Sequence, residues 1–151
     1  MMKPIASVLL LALFGLQSKA QMHGNYAVKY EKKSSSGYQM LKIHAKESGA
    51  LLFYLEVGTG APDYTSGSLY GKLTQNAKSG NYEYKGGCKL IFTKSKRAIS
   101  IKTISGNCGL GYGIHADGRY SLIDHNNPKD FVDRSGHKIY FDKTSPAKYS
   151  E

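Results

Sequence analysis

From residue 21 onward apolar side chains recur at every second position, and clusters of Gly, Ser, Asn or Pro interrupt them roughly every eight to twelve residues. This is the rhythm of short antiparallel strands, and amphipathic-helix spacing is almost absent. Asn25 to Lys32 sets Tyr26, Val28 and Tyr30 against Lys and Ala, and Ser34-Ser35-Ser36-Gly37 then turns the chain. Tyr38 to Lys46 places Leu41, Ile43 and Ala45 on one face, and Leu51 to Val57 is apolar almost throughout, the pattern of a central strand covered on both sides. A loop from Gly58 to Ser66 leads to a strand from Ser68 to Thr74, followed by a short Tyr-rich strand from Gly80 to Lys85. Cys88 to Thr93 and Ala98 to Ile104 flank Lys94-Ser95-Lys96-Arg97 as a hairpin. Ile114 to Ile123 predicts another strand, broken or bulged at Asp117-Gly118. The tail predicts a loop from Asp124 to Lys129, a helical turn around Asp130 to Asp133 and a last strand from His137 to Phe141.

Eight or nine short strands with little else predict an all-β fold, a small antiparallel barrel or a two-sheet sandwich of about eight strands. Either form buries one face of every strand and limits exposed edges. No internal repeat of fixed period is present.

The first twenty residues depart from this pattern. Lys3 precedes the apolar run Ile5 to Leu16, and Gln17-Ser18-Lys19-Ala20 follows with small residues at the positions a signal peptidase reads. Twelve residues rising ~1.5 Å each make ~18 Å, short of a ~30 Å hydrocarbon core. Residues 1–20 are therefore expected to be a cleavable signal peptide and residues 21–151 a single β domain, secreted or periplasmic, with no membrane span in the mature protein. Lys3 and Lys19 leave with the leader, so the formal net charge falls from +10 to +8. In an oxidising compartment the two cysteines, Cys88 and Cys108, predict one disulfide, closing a loop of about 20 residues and stabilising by about 3 kcal/mol.

Charge and composition then bound the chemistry. No acidic residue lies between Tyr84 and Ala116, whereas Lys85, Lys89, Lys94, Lys96, Arg97 and Lys102 do. The hairpin residues Lys94, Lys96 and Arg97 are candidates for contact with an anionic cell-envelope component, the alternative being a solvated tip whose lysines prevent edge pairing. Nucleic acid is not an expected partner, because no recognised motif accompanies the charge. The glycines of Cys108-Gly109-Leu110-Gly111-Tyr112-Gly113 precede a strand rather than a helix, which points to backbone freedom at the disulfide rather than to a phosphate cradle. His23, His44, His115, His125 and His137 are scattered, and a hydrolase reading needs His115, Asp117 and His125 to converge. No catalytic residue, metal site or cofactor is expected. All twelve tyrosines follow residue 20 and suit a core and barrel rim, or a face for sugar or peptide.

The segment Cys88-x-Leu90-x-Phe92, Ile99-x-Ile101, Cys108-Gly109-x-Gly111 and Asp117-Gly118-x-Tyr120 resembles small exported bacterial β proteins of the lysozyme-inhibitor-like kind. Ser66-Gly67-Ser68-Leu69-Tyr70 is similar to the Ser-Gly-x-x-Tyr element that inhibitors of c-type lysozyme present to the enzyme. These matches cover about a third of the chain. The resemblance implies an eight-stranded antiparallel barrel with Ser66, Gly67 and Tyr70 near a loop that enters a partner's cleft. The expected function is that of an exported, non-enzymatic binding protein, either an inhibitor-like module of the periplasm or cell exterior or an envelope-surface binder acting through the basic hairpin.

Overall fold

The computed structural model describes residues 21–28 and 37–149. The predicted signal peptide, the far half of the first predicted strand and the serine-rich turn lie outside the described residues. Eight strands form a closed antiparallel barrel, which decides between barrel and sandwich. They are β1 (Gly24–Ala27), β2 (Tyr38–Ala45), β3 (Leu51–Gly58), β4 (Ser66–Gln75), β5 (Tyr82–Lys85), β6 (Cys88–Ser95), β7 (Ala98–Gly106) and β8 (Gly118–Asp124). Each pairs with its neighbour in sequence, and β8 pairs with β1 to close the wall. Two further strands, β9 (Asp130–Val132) and β10 (Lys138–Tyr140), form a small separate sheet, and Pro146–Lys148 makes one 3-10 turn. Residues Asp130 to Val132 are thus extended and paired with β10, not the helical turn that the sequence suggests. Three residues are too few for a period to declare itself.

Alternation along the strands fills the interior. Tyr26, Leu41, Ile43, Phe53, Leu55, Leu90, Phe92, Ile99, Ile101 and Tyr120 are all buried in one cluster. Tyr26 and Tyr120 are tolerated there because each hydroxyl donates to a carbonyl of its own chain, Met22 O and Ala116 O, both at 2.8 Å. One end of the barrel carries the β2–β3, β4–β5 and β6–β7 turns, with Met22 buried against its mouth. The other end carries the disulfide, the β3–β4 loop and the β7–β8 loop. Here Leu110, Ile114 and Ala116 belong to the interior cluster, so residues 107–117 fold across the mouth rather than extending β8 back to Ile114.

A second core lies outside the barrel. Leu52 and Tyr54 of β3 and Tyr70 of β4 point outward, Tyr54 and Tyr70 being direct cross-strand partners. Phe131 and Phe141 of the C-terminal hairpin cover them. Tyr54 and Phe131 stack at 3.9 Å between centroids, and Tyr70 meets Phe131 at 5.1 Å and Phe141 at 5.7 Å. The near-continuous apolar run of β3 follows from this: Phe53, Leu55 and Val57 line the interior while Leu52 and Tyr54 face the hairpin. Polar contacts fix the docked segment. Asn127 bonds both the N–H and the carbonyl of Ala45 at 2.8 Å. The ring of His44, buried on the outer side of β2, stacks on Phe141 with its nitrogens 2.8 Å from Pro128 O and 3.1 Å from Asp142 Oδ1.

Candidate functional site

Buried and partly buried side chains from all eight strands pack the barrel interior, and at its disulfide end two loops are built to hold a shape. The first, residues 59–65, is clamped at its base by a threonine pair. Thr59 N donates to Thr65 O at 2.7 Å, and Thr65 N donates to Thr59 Oγ1 at 2.9 Å. Within it Tyr64 takes a left-handed backbone conformation (φ 42°), unfavourable for any side chain but glycine, and is 75 % exposed.

The second loop, residues 107–117, is held at one side by the Cys88–Cys108 disulfide and at the other by Asp117. Asp117 Oδ1 accepts from Thr103 N at 2.8 Å and from Thr103 Oγ1 at 2.5 Å. Between these ties Leu110 and Ile114 are driven into the barrel mouth. The chain must reverse between two buried residues only four positions apart, and Gly111 (φ 108°) and Gly113 (φ 72°) supply the backbone conformations this takes. Tyr112, between them, is 99 % exposed. The loop also rests on Gly67, whose absent side chain makes room for it. A Cβ there would stand 1.9 Å from Leu110 O.

A depression of about 680 Å³ opens between the loops, with Val57, Thr59 and Asp63 on one side and Thr103, Ile114 and His115 on the other. A neighbouring hollow of about 360 Å³ shares Thr103, Ile114 and His115 and reaches Tyr112.

The residues singled out from sequence are dispersed by the fold. Ser66 and Gly67 open β4 beside the disulfide loop. Tyr70, on the outer wall, is buried against Phe131 and Phe141, and its hydroxyl donates to Thr144 O at 2.6 Å. Burial pushes its phenol pKa up to about 12. Lys94, Lys96 and Arg97 sit at the opposite end of the barrel. Lys94 turns back to donate to Gln21 O, and burial lowers its ammonium pKa, whereas Lys96 and Arg97 are exposed. His115 and Asp117 stand at the disulfide end and His125 follows β8 at the other, so the three do not converge. Among the described residues no group of three or more His, Cys, Asp or Glu is placed to hold a metal ion, and no helix is long and apolar enough to cross a membrane.

Sequence reasoning missed Tyr64 and Tyr112. The signal for Tyr112 was present: a Tyr between two glycines, flanked by Leu110 and Ile114, has no neighbour on its own segment to pack against. Comparison with known proteins returned nothing, since no family model, curated protein or solved structure matches this chain.

Proposed function

We propose that this chain is an exported, non-enzymatic binding protein that grips a protein partner with the loops at its disulfide end, as an inhibitor-like module does. The observation that carries the reading is Tyr112, held fully in solvent on a loop tied at both sides, with Tyr64 exposed on a second clamped loop. Tyrosine is enriched among interface anchors, because it brings a large amphipathic area with few rotamers to freeze, and here two exposed tyrosines share one end of the barrel. Loops fixed before contact also lose little entropy on binding. A filled interior favours surface recognition over a ligand held inside the barrel. Export agrees with the signal-peptide pattern of residues 1–20 and with a disulfide, which persists in oxidising compartments.

The test is site-specific photocrosslinking in cells that make the protein. A photoreactive amino acid at position 112 or 64 should yield a discrete protein adduct, and the same group at Ser79, in the β4–β5 turn, should not. Absence of any adduct from positions 112 and 64, or the same adducts from Ser79, would remove the proposal. The narrower inhibitor reading is checked by retention on an immobilised c-type lysozyme, which Tyr112→Ala should abolish without lowering the melting temperature.

A further inference from the structure

The C-terminal hairpin covers one wall of the barrel, whereas among the described residues nothing covers the outer face of β5 to β8, and this wall is basic. On the outer face of β5 to β8 each strand contributes one cation, Lys85, Lys89, Lys102 and Arg119. Lys85 and Lys89 are direct cross-strand partners. Lys102 faces Ile91, two positions from Lys89, and Arg119 faces Ser100, two positions from Lys102. Every step after the first therefore moves the same way along the barrel, and the four charges form one diagonal line across three strand spacings of ~4.8 Å.

Two acidic residues adjoin this line: Glu83, whose carboxylate lies 3.2 Å from Lys85 Nζ and 3.7 Å from Lys89 Nζ, and Asp117, two positions before Arg119, whose carboxylate is held by Thr103 beside Lys102. Of the stretch between Tyr84 and Ala116 that lacks acidic residues, β6 and β7 run through this wall, and residues 107–115 fold across the barrel mouth. Lys94, by contrast, is turned inward to Gln21 O, so the predicted hairpin-tip trio is not the centre of the charge.

We propose that this wall binds a linear acidic polysaccharide, its carboxylate or sulfate groups running along the diagonal of Lys85, Lys89, Lys102 and Arg119. A single file of cations matches a chain of anions better than a plane of headgroups. Ile91 lies between Lys89 and Lys102, and Ser100 lies between Lys102 and Arg119 with Thr93 opposite it; the two hydroxyls suit sugar hydroxyls, and no Trp or Phe stands there to enter a bilayer. The site is separate from the tyrosine loops and does not depend on them.

The test titrates the purified chain with a heparin dodecasaccharide and with polygalacturonate, which distinguish sulfated from carboxylated sources, and with a single-stranded oligonucleotide and phosphatidylglycerol vesicles. The combined variant Lys85→Gln/Lys89→Gln/Lys102→Gln/Arg119→Gln is compared with Lys46→Gln/Lys78→Gln/Lys129→Gln/Lys148→Gln, which removes equal charge elsewhere. The wall variant should bind at least one of the two glycans on the order of tenfold more weakly, and the wild-type log–log salt slope of roughly −3 should collapse. Glu83→Gln should tighten binding, a gain that misfolding would not produce. Equal losses in both quadruple variants, an unchanged affinity in Glu83→Gln, or tighter binding of the oligonucleotide or vesicles through the same four residues would overturn the proposal.

Discussion

Tyr70 and Tyr112 show how far one residue type is governed by its surroundings. Strand alternation puts Tyr70 on the outer face of β4, where exposure is the default, and Phe131 and Phe141 arrive from far along the chain to bury it. Nothing local announces that cover, so the resemblance around Ser66 to Tyr70 marks a segment whose tyrosine has no free surface. At Tyr112 local chemistry suffices, because two glycines and two anchoring apolar residues leave the ring no option but solvent. His23 carries a prediction at this scale. Burial first, then the charges of His125, Lys94 and His44, lower its pKa below the ordinary 6.5. Its unfolded form therefore binds protons more readily than its native form. The resulting stability is fully present above pH 6.5 and is lost as pH falls through that value toward the native pKa. Denaturation midpoints measured from pH 8 to pH 5 should decline, and His23→Gln should flatten part of the decline.

Among the elements, the strands with clear alternation were legible and the short or irregular ones were not. Leu51 to Val57 was readable as a doubly covered strand because both of its faces are apolar. Asp130 to Val132 was not, since its extended state depends on Lys138 to Tyr140 across a turn and on Phe131 reaching Tyr54. That dependence sets an expectation: Phe131→Ala should cost about 3–5 kcal/mol in chemical denaturation. Ile123→Ala, at a position 62 % exposed, should stay within about 0.5 kcal/mol. The disulfide pairing was also readable, from two cysteines at the ends of a proposed hairpin, but its consequence for the loop was not. Cys88 tethers the segment that plugs the barrel mouth with Leu110 and Ile114. Cys88→Ser/Cys108→Ser should lose about 3 kcal/mol. It should also raise hydrogen exchange in residues 107–117 before it does so in β2 and β3.

At the scale of the whole molecule, barrel and sandwich could not be separated in the sequence because both need the same number of alternating strands. What distinguishes them is whether the first strand meets the last, a contact between distant residues that alternation does not encode. The charge pattern was visible as a stretch without acids, yet its shape was not, because a linear sequence cannot show that Lys85, Lys89, Lys102 and Arg119 fall into line across four strands. The same folding that aligns them sends Lys94 inward.

The seam between β1 and β8 has a kinetic meaning. Seven of the eight pairings in the barrel join sequence neighbours, and the eighth brings together residues about a hundred positions apart, such as Tyr26 and Leu122. Closing so long a loop costs entropy that only the finished seam returns, which places this pairing late in assembly. A side chain that acts there should govern how fast the native protein opens and hardly affect how fast it forms. In stopped-flow experiments Leu122→Ala should accelerate unfolding and leave the refolding limb nearly unchanged, whereas Leu55→Ala, within the β2–β3–β4 meander, should slow refolding. Until the seam closes, β1 and β8 are bare edges, so the molecule is most prone to pair with a second copy of itself during the last stage of its own folding.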